Sequence, residues 1–450
     1  MIKINFNKKI FSVLMVLAIL FALGSCDASN VGSDDSTSFG EESLDTSGNV
    51  PETVETADRS DESTQFPDSS ESSGSGDTNN TTSERETTVK EETGIEETEP
   101  KEETTEKIVL DEEMVLTYEN LHELSSGKNI VVFLVDRFDA KYYRKMEKKY
   151  PEFFEGLDGF TYYNDYTSRH CRTYPGVASI LTNLEHDYSS KKANAFNYFY
   201  SNGGTMRTLY DHGYTLNVYT ETNYVYNDAT LMSEYVSNTG YISLSEEFLV
   251  GEEATVDLFE RIKSRDFYTV DTLGQFTFIH LYGCHNTSKS SNENIEDTFE
   301  IIYYYIEQMK ALGVYDDATI VITGDHAAAL SDSKYIGKAS SSDDGTRVTA
   351  MLFKRSGDSG IALQRSEAQV SQDELWATIF ESEGMLSEKK GESFFDIPEG
   401  EERERRYLFY MYKNAKNNNL KYNQVIEYKI TGTANDPENW QMITTPVTTE

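Results

Sequence analysis

From residue 128 onward, short apolar runs alternate with longer segments of helical periodicity. In the run 129–135 every residue after Asn129 is apolar, which is typical of a strand buried on both faces. The segment 294–312 instead spaces its large apolar residues three or four positions apart, as one face of a helix does. This alternation predicts a largely parallel sheet with helices on both faces. The predicted strands are 129–135, 157–166, 214–219, 276–282, 319–323, 347–353, 407–412 and 424–431, and the predicted helices are 139–149, 174–184, 203–212, 294–312 and 373–383.

Two of the predicted strands end in side chains that are good metal ligands. Asp325 and His326 follow the strand 319–323 after one glycine, and Asp136 directly follows the strand 129–135. Open α/β sheets keep their active sites at the carboxyl ends of strands. Each signal has a simpler alternative, because Asp136 could cap a helix or stand in a turn and the Asp325–His326 pair could stabilise a loop. The residues alone indicate a candidate metal site.

A hydroxyl residue begins the predicted helix 174–184. Thr173 falls at the N-cap position, with Pro175 in the first turn. One interpretation is a plain threonine cap. The other is a nucleophile, because the backbone N–H groups and the positive dipole end of a helix N-terminus favour an alkoxide and an incoming phosphate. Both interpretations remain open at this point.

The order of these features resembles the alkaline phosphatase–sulfatase superfamily, and within it most closely the lipoteichoic acid synthase-like phosphotransferases. The resemblance covers roughly residues 128–385. It implies an alkaline-phosphatase-like α/β fold, a three-layer sandwich with a mostly parallel central sheet. The segments that carry it are 129–136 (NIVVFLVD), 165–182 (DYTSRHCRTYPGVASILT), 276–285 (FTFIHLYGCH) and 313–326 (GVYDDATIVITGDH).

The resemblance also implies a role for each matching residue. Asp136, Thr173, Asp325 and His326 would bind one divalent metal ion (Mn, Mg, Ca or Zn), and Thr173 would be the nucleophile. His285 would contact the substrate or its leaving group, although a loop histidine is the simpler alternative. His280 lies within the strand itself and is interpreted as structural.

Arginines near these segments are candidates for holding phosphate oxygens, because a guanidinium binds them in a bidentate manner. Arg137 directly follows Asp136, and Arg169 and Arg172 precede Thr173. We name Arg137 as a substrate-binding residue beside His285.

The chain departs from the sulfatase pattern at the nucleophile. Sulfatases place a cysteine two residues before the proline and an arginine shortly after it, where this chain has Thr173 and Val177. Sulfate-ester hydrolysis through formylglycine is therefore disfavoured. Sulfatases also usually carry paired acids after the first strand, whereas this chain has Asp136 followed by Arg137. A single-metal, synthase-like site is favoured over a two-metal site.

The amino terminus has the outline of a secretory signal. Lysines precede an apolar stretch at 10–23 that is too short to span a bilayer comfortably, and small residues lead to Cys26. This ending resembles the bacterial lipobox, which implies cleavage before Cys26 and lipid attachment to it. An uncleaved N-terminal anchor is the alternative. Both place the protein at the extracytoplasmic face of a bacterial cell membrane, with the membrane as a partner through the N-terminal lipid.

Composition changes sharply after this signal. Residues 27–107 contain 24 acidic and 5 basic side chains, a net charge of −19 out of −38 for the whole chain. Such a segment cannot bury enough apolar surface to offset chain entropy, so we predict a disordered acidic linker at 27–110. The acidity argues against nucleic acid as a partner. The predicted organisation is a lipoprotein signal (1–26), this linker, a sulfatase-like catalytic domain (128–385) and a C-terminal extension (386–450) with a small β piece, packed on the catalytic domain.

The function expected from the sequence is a metal-dependent hydrolase or phosphotransferase acting on a phosphoester or phosphodiester. The resemblance suggests a phosphorylated surface glycan or lipid headgroup as substrate. A sulfatase and a catalytically inactive glycan-binding surface lipoprotein are the alternatives. Cys171 and Cys284 flank the proposed nucleophile and His285 in sequence, and a disulfide between them is a further hypothesis.

Overall fold

The computed structural model describes most of the chain after residue 111. All described residues lie in one compact unit, 101–450. The predicted signal at 1–26 with Cys26, and the linker at 27–110, lie outside the described residues. No helix within the described ranges combines the length and apolar character of a membrane span. The described ranges are 112–185, 192–221, 229–243, 251–285, 290–327, 348–411, 424–443 and 447–448.

Strands and helices alternate through the first part of this unit, and strands dominate its end. The strands are β1 (Glu112–Leu116), β2 (Glu123–Ser125), β3 (Lys128–Val135), β4 (Phe160–Thr167), β5 (Tyr214–Tyr219), β6 (Thr239–Ser243), β7 (Tyr268–Val270), β8 (Gly274–Leu281), β9 (Thr319–Thr323), β10 (Met351–Lys354), β11 (Gln364–Ser371), β12 (Glu404–Met411), β13 (Gln424–Thr431), β14 (Trp440–Met442) and β15 (Val447–Thr448). The helices are α1 (Ala140–Lys149), α2 (Thr173–Thr182), α3 (Lys192–Asn202), α4 (Gly204–Asp211), α5 (Gly251–Lys263), α6 (Ser291–Ala311) and α7 (Leu375–Ser382), with a 3-10 turn at Gln372–Glu374.

Seven strands form the central sheet in the order β11-β4-β10-β9-β3-β8-β5. β3 pairs in parallel with both β8 and β9, and β5 and β11 are also parallel to their neighbours β8 and β4. Only β10 among these seven is reversed, and it pairs antiparallel to both β9 and β4. The predicted mostly parallel central sheet is confirmed. The carboxyl ends of β3, β8 and β9 therefore meet at one edge.

Apolar side chains of β3 alternate between two cores, one on each face of the sheet. Val132 and Leu134 belong to a cluster that also contains residues of α2, α3, α4 and α7. Val131 and Phe133 belong to a second cluster that contains residues of α1, α5 and α6. Burial on both faces explains why 129–135 is a continuous apolar run. The arrangement is the expected α/β sandwich of three layers.

A second sheet follows the central one in sequence, with β13 paired to β12, β14 and β15. These pairs are all antiparallel. Tyr407, Phe409 and Trp440 of this sheet belong to the same apolar cluster as α2 and α7. The small C-terminal β piece expected from the sequence is confirmed, and its inner face is part of the main core.

Local capping moves several element boundaries from their predicted positions. The helix predicted at 174–184 runs from Thr173 to Thr182, because Asn183 adopts a left-handed conformation (φ 51°) and ends it. Helix α6 begins at Ser291 instead of 294, because Ser290 and Glu293 form a reciprocal capping box. The strand predicted at 347–353 is Met351–Lys354 and is antiparallel to its neighbours; Arg347 lies outside the described residues.

Candidate functional site

The carboxyl ends of two adjacent parallel strands place two aspartates side by side. Asp136 follows β3, and its backbone N–H donates to Leu281 O of β8 at 2.9 Å. Asp325 follows β9, the other neighbour of β3. Between them, the backbone N–H of Arg137 donates to Asp325 Oδ1 at 2.9 Å, and Arg137 has a positive φ of 57°. The left-handed backbone conformation of Arg137 directs its N–H group toward Asp325 Oδ1.

His326 and Thr173 complete a four-residue cluster with these aspartates. Single ligand atoms of Asp136, Asp325 and His326 lie within 4.8 Å of one another, and all three residues are buried. Thr173 Oγ1 lies 3.2 Å from His326 Nε2 and 3.4 Å from Asp136 Oδ2. The structure therefore brings together the four residues that the resemblance implied as metal ligands. Their roles as ligands and nucleophile stay predictions.

Thr173 is not the N-cap of its helix, which corrects the expectation from the sequence. Arg172 is the cap residue, with extended backbone angles, and it makes no side-chain capping bond. Thr173 is the first helical residue instead. Its hydroxyl contacts His326 Nε2 and Asp136 Oδ2. The plain-cap interpretation is wrong.

The electrostatics of the cluster favour a cation. Burial, and then the neighbouring charge of Asp325, raise the pKa of Asp136 well above its usual range. Asp136 Oδ1 and Asp325 Oδ2 are buried acceptors without a hydrogen-bond donor among the described residues. Two adjacent buried carboxylates, each with one oxygen that has no donor, are costly unless a positive charge compensates them. A divalent cation bound there would supply that charge.

The histidine of the cluster is held in a suitable state to bind such a cation. Burial lowers the pKa of His326, which keeps the imidazole neutral near pH 7. Its Nδ1 lies 2.5 Å from Ala327 O, so Nδ1 carries the proton and donates to this carbonyl. Nε2 then presents its lone pair, 3.3 Å from Asp325 Oδ2 and 3.9 Å from Asp136 Oδ1. A backbone partner that fixes the tautomer is typical of a metal-binding histidine.

Close backbone packing around the cluster depends on glycine. A Cβ atom on Gly283 would lie 2.5 Å from Val135 Cγ1 and 2.9 Å from the backbone nitrogen of Asp136, and the φ of Gly283 is +55°. A Cβ atom on Gly176, in the first turn of α2, would lie 2.9 Å from Asp325 O. The turn after β8 and the start of α2 can approach the two aspartates because both positions lack a side chain.

Gly283→Ala is expected to destabilise the protein by about 2–4 kcal/mol, because it combines a left-handed conformation with a steric overlap. Metal affinity should fall together with stability, since the overlap is with Asp136. Gly313→Ala is the matched control, because Gly313 also has a positive φ (+71°) but open space where the Cβ would stand. Thermal unfolding and metal titration of both variants check this. Equal effects of the two variants would contradict the packing argument.

His280, interpreted from sequence as structural, lies next to the cluster. Its side chain is only 4% exposed near the carboxyl end of β8, and its Nε2 is 4.0 Å from Asp136 Oδ2. Burial lowers its pKa to about 4, so the ring is neutral at pH 7. Thr220 Oγ1 lies 2.9 Å from Nδ1, and with Thr220 as the donor the ring proton is on Nε2, facing Asp136. In the sequence, the feature that indicates this location is a histidine near the end of β8, the strand that neighbours β3.

Thr220→Val is expected to lower metal affinity about tenfold, the size of effect typical of residues that orient a ligand. Loss of the Thr220 hydroxyl leaves the tautomer of His280 unfixed, so that a lone pair instead of an N–H can face Asp136 Oδ2, which lies 4.0 Å from Nε2. Thr205→Val is a control that also removes a hydroxyl with one hydrogen bond, to Leu181 O. Isothermal titration with Mn²⁺ or Zn²⁺ measures the difference. If Thr220→Val binds the metal ion as tightly as wild type does, His280 does not influence Asp136 as proposed.

Three further candidates from the sequence are His285, Arg137 and Arg169. The ring of His285 packs against that of Tyr282, with centroids 4.7 Å apart, and Asn294 Nδ2 donates to His285 O at 3.3 Å. The leaving-group role of His285 stays a prediction, as does substrate binding by Arg137. Arg169 is directed elsewhere, because its Nε and Nη2 contact Asp373 Oδ1 at 2.7 and 2.5 Å. Arg169 thus pairs with Asp373, and binding of phosphate oxygens by Arg169 or Arg172 stays a prediction.

The hypothesis of a disulfide between Cys171 and Cys284 is also wrong. Both cysteines are buried, and no disulfide joins them in the described structure. The physical reason is their position relative to the sheet. Cys171 packs in the core that contains α2, and Cys284 packs in the core on the opposite face.

Comparison with known proteins returns distant structural matches. No family model matches the chain, and no curated protein matches it. A protein in the alkaline phosphatase superfamily from Vibrio parahaemolyticus is 11% identical, with a TM-score of 0.43 over 74% of this chain and 85% of that one. The lipoteichoic acid synthase LtaP from Listeria monocytogenes is 11% identical, with a TM-score of 0.39 over 72% and 87%.

A third match is the C-terminal periplasmic domain of EcEptC from Escherichia coli in complex with Zn. It is 13% identical, with a TM-score of 0.38 over 67% of this chain and 96% of that domain. All of these matches are distant. The first is named as a member of the superfamily that the sequence resembles, and the second as a lipoteichoic acid synthase.

Proposed function

We propose that this protein is a metal-dependent hydrolase or phosphotransferase that cleaves a phosphoester or phosphodiester with Thr173 as the nucleophile. One observation carries the proposal. The Thr173 hydroxyl lies 3.2 Å from His326 and 3.4 Å from Asp136, beside a buried group of two aspartates and one histidine. A nucleophile, a base and a cation site at this spacing are the parts that the reaction needs.

The surroundings of Thr173 would help its hydroxyl to attack phosphorus, because they include a proton acceptor, Asp136, and a candidate cation site. A bound divalent cation would lower the pKa of the hydroxyl and offset the charge of the phosphate. The hydroxyl donates to Asp136 Oδ2, which gives the proton a destination as Oγ1 forms its bond to phosphorus. The bond from phosphorus to the leaving oxygen breaks in the same step. The product is a phosphothreonine that water or an alcohol then attacks.

Two further residues take roles by the resemblance. His285 would protonate the departing oxygen, which needs a neutral or cationic ring within reach of the substrate. Arg137 would hold a non-bridging phosphate oxygen. In support, Arg137 lies between the two aspartates and opposes the rise in the pKa of Asp136, while it also helps to lower the pKa of His326.

The cellular setting is proposed from the sequence. A lipid on Cys26 would hold the enzyme at the extracytoplasmic face of the cell membrane, and the linker at 27–110 would separate the folded unit from the bilayer. Substrates in reach of such an enzyme are phosphate substituents on surface glycans or lipid headgroups. A sulfatase is the alternative, although Thr173 stands where that chemistry places cysteine. A glycan-binding lipoprotein without activity has no need of the four-residue cluster.

The deciding experiment combines metal content by mass spectrometry with turnover of three substrates. We expect one divalent metal ion per chain and turnover of an aryl phosphodiester or a phosphomonoester that stops after chelation. Turnover of an aryl sulfate alone would favour the sulfatase. Metal-free protein that turns over none of the three substrates after incubation with Mn²⁺, Mg²⁺, Ca²⁺ or Zn²⁺ would favour the inactive lipoprotein.

A further inference from the structure

A buried ion pair joins the central sheet to the C-terminal sheet. Arg405 of β12 and Asp165 of β4 have side chains that are 1% and 3% exposed, and Nη1 of Arg405 lies 3.0 Å from Asp165 Oδ1. Arg405 also donates to Asp165 O at 2.7 Å and to Gly432 O at 2.6 Å. Asp165 Oδ1 accepts a further bond from Ala434 N at 2.9 Å. The pair therefore fixes β12 and the turn after β13 against the end of β4.

The same strand, β12, also binds the segment that leads to the nucleophile. Leu408 N donates to Arg169 O at 2.8 Å, and His170 forms a parallel bridge with Leu408. Arg169 N in turn donates to Gln372 Oε1 at 3.0 Å, ahead of helix α7. The chain from Asp165 to Thr173 is thus held at its start by Arg405 and further along by Leu408. Both contacts come from β12, outside the central sheet.

We propose that Arg405 and Asp165 are positioning residues for Thr173, acting through β12 and the backbone of 168–172. Neither side chain touches the reacting atoms. This inference rests on the proposed function. Thr173 Oγ1 lies 3.2 and 3.4 Å from its partners, at the long end of hydrogen-bonding distance, so a small displacement breaks both contacts. A displacement of about 1 Å of a reacting group can lower turnover roughly 100-fold.

Stability alone does not account for such a pair. A buried ion pair is weak evidence for stability, because well-packed apolar residues of similar size are often as stable or more so. An Arg–Asp pair also fixes geometry, because the planar guanidinium donates to several carbonyl oxygens and so holds their segments in fixed relative positions. The Arg405 guanidinium donates to the backbone carbonyls of three separate segments, at Asp165, Val370 and Gly432. The geometry that they fix is that of β12 relative to the end of β4.

Asp165→Asn and Arg405→Lys test the proposal, and Arg406→Met is the matched control. Arg406 lies on the same strand, is half-exposed and pairs with Glu427 on the surface. We expect kcat per metal-loaded site to fall about tenfold or more in the first two variants, with KM for an aryl phosphodiester within about twofold of wild type. Arg406→Met should match wild type in both constants.

A purely structural role gives a different result. It would lower the yield of folded, metal-loaded protein but leave kcat per loaded site unchanged, and that outcome would overturn the proposal. If neither variant folds, Leu408→Pro removes the donor to Arg169 O together with the leucine side chain, and Leu408→Ala, which keeps the N–H, is its control. We expect Leu408→Pro to lower kcat more than Leu408→Ala does; equal kcat in the two variants, or failure of Leu408→Pro to fold, counts against the proposal. Equal turnover by wild type and Thr173→Val would instead show that the proposed function itself is wrong.

Discussion

Thr173→Val is expected to lower turnover of the preferred phosphoester by roughly 10³-fold or more, because it removes the attacking oxygen while it keeps the shape of the side chain. The three remaining ligands, Asp136, Asp325 and His326, should still bind the metal ion, at reduced affinity. Turnover under saturating substrate, normalised to metal content, measures the effect.

Thr173→Ser is the matched control for this result. Serine keeps the hydroxyl and loses only the methyl group, so we expect it to retain turnover within about 10² of wild type. Valine and serine variants of equal activity would contradict a nucleophilic role for Thr173. Activity lost in both, together with loss of bound metal, would show that Thr173 acts mainly as a ligand.

Asp325→Asn is expected to stabilise the metal-free protein by about 1–3 kcal/mol and to abolish metal binding. The cause is the adjacency of two buried carboxylates: burial, and then the charge of Asp325, raise the pKa of Asp136. Asparagine is nearly isosteric, keeps an oxygen to accept from Arg137 N, and removes one of the two charges. Thermal unfolding of wild type and variant, each with and without chelator, measures both effects.

The raised pKa of Asp136, caused by burial and then by the charge of Asp325, sets a pH dependence for the metal-free wild type. A carboxyl whose pKa is raised in the folded state contributes stability at low pH, and this stability is lost as pH rises through that raised pKa. Chelated wild type should therefore lose stability as pH rises above the ordinary aspartate value of about 4, while metal-loaded protein should not. Asp325→Asn should show a smaller loss, because it removes the charge of Asp325 but leaves Asp136 buried. If chelation does not change the melting temperature at pH 7, the two aspartates do not hold a metal ion.

The sequence predicted the core of this fold because burial on both faces leaves a clear pattern. β5, β9 and β13 have the predicted bounds, and β3 differs by one residue. The pattern failed where strands are exposed. β11 is an edge strand with the sequence QRSEAQVS, and its mostly polar, partly exposed residues carry no apolar signal. The predicted helix and strand boundaries were inaccurate where a single residue determines the end of an element, as Asn183 does at the end of α2.

The site was predictable in its members and not in its geometry. Asp136, Asp325 and His326 come together because β3 and β9 are neighbours and parallel, so their carboxyl ends coincide. The approach of Thr173 depends on the backbone of 168–172 and on its contact with β12, which no local pattern encodes. His280 was interpreted as structural because its neighbours in sequence belong to a buried strand, and only the structure shows that its ring lies next to Asp136.

Detection of phosphate on Thr173 tests the central claim most directly. Metal-loaded protein is mixed with an aryl phosphodiester, quenched in acid within the first turnover and digested, and the peptide that contains Thr173 is analysed by mass spectrometry. We predict a substrate-derived phosphoryl group on Thr173 that is absent from Thr173→Val and from chelated protein. Turnover without any covalent modification of Thr173 in the quenched enzyme, or modification at another residue, would contradict the account.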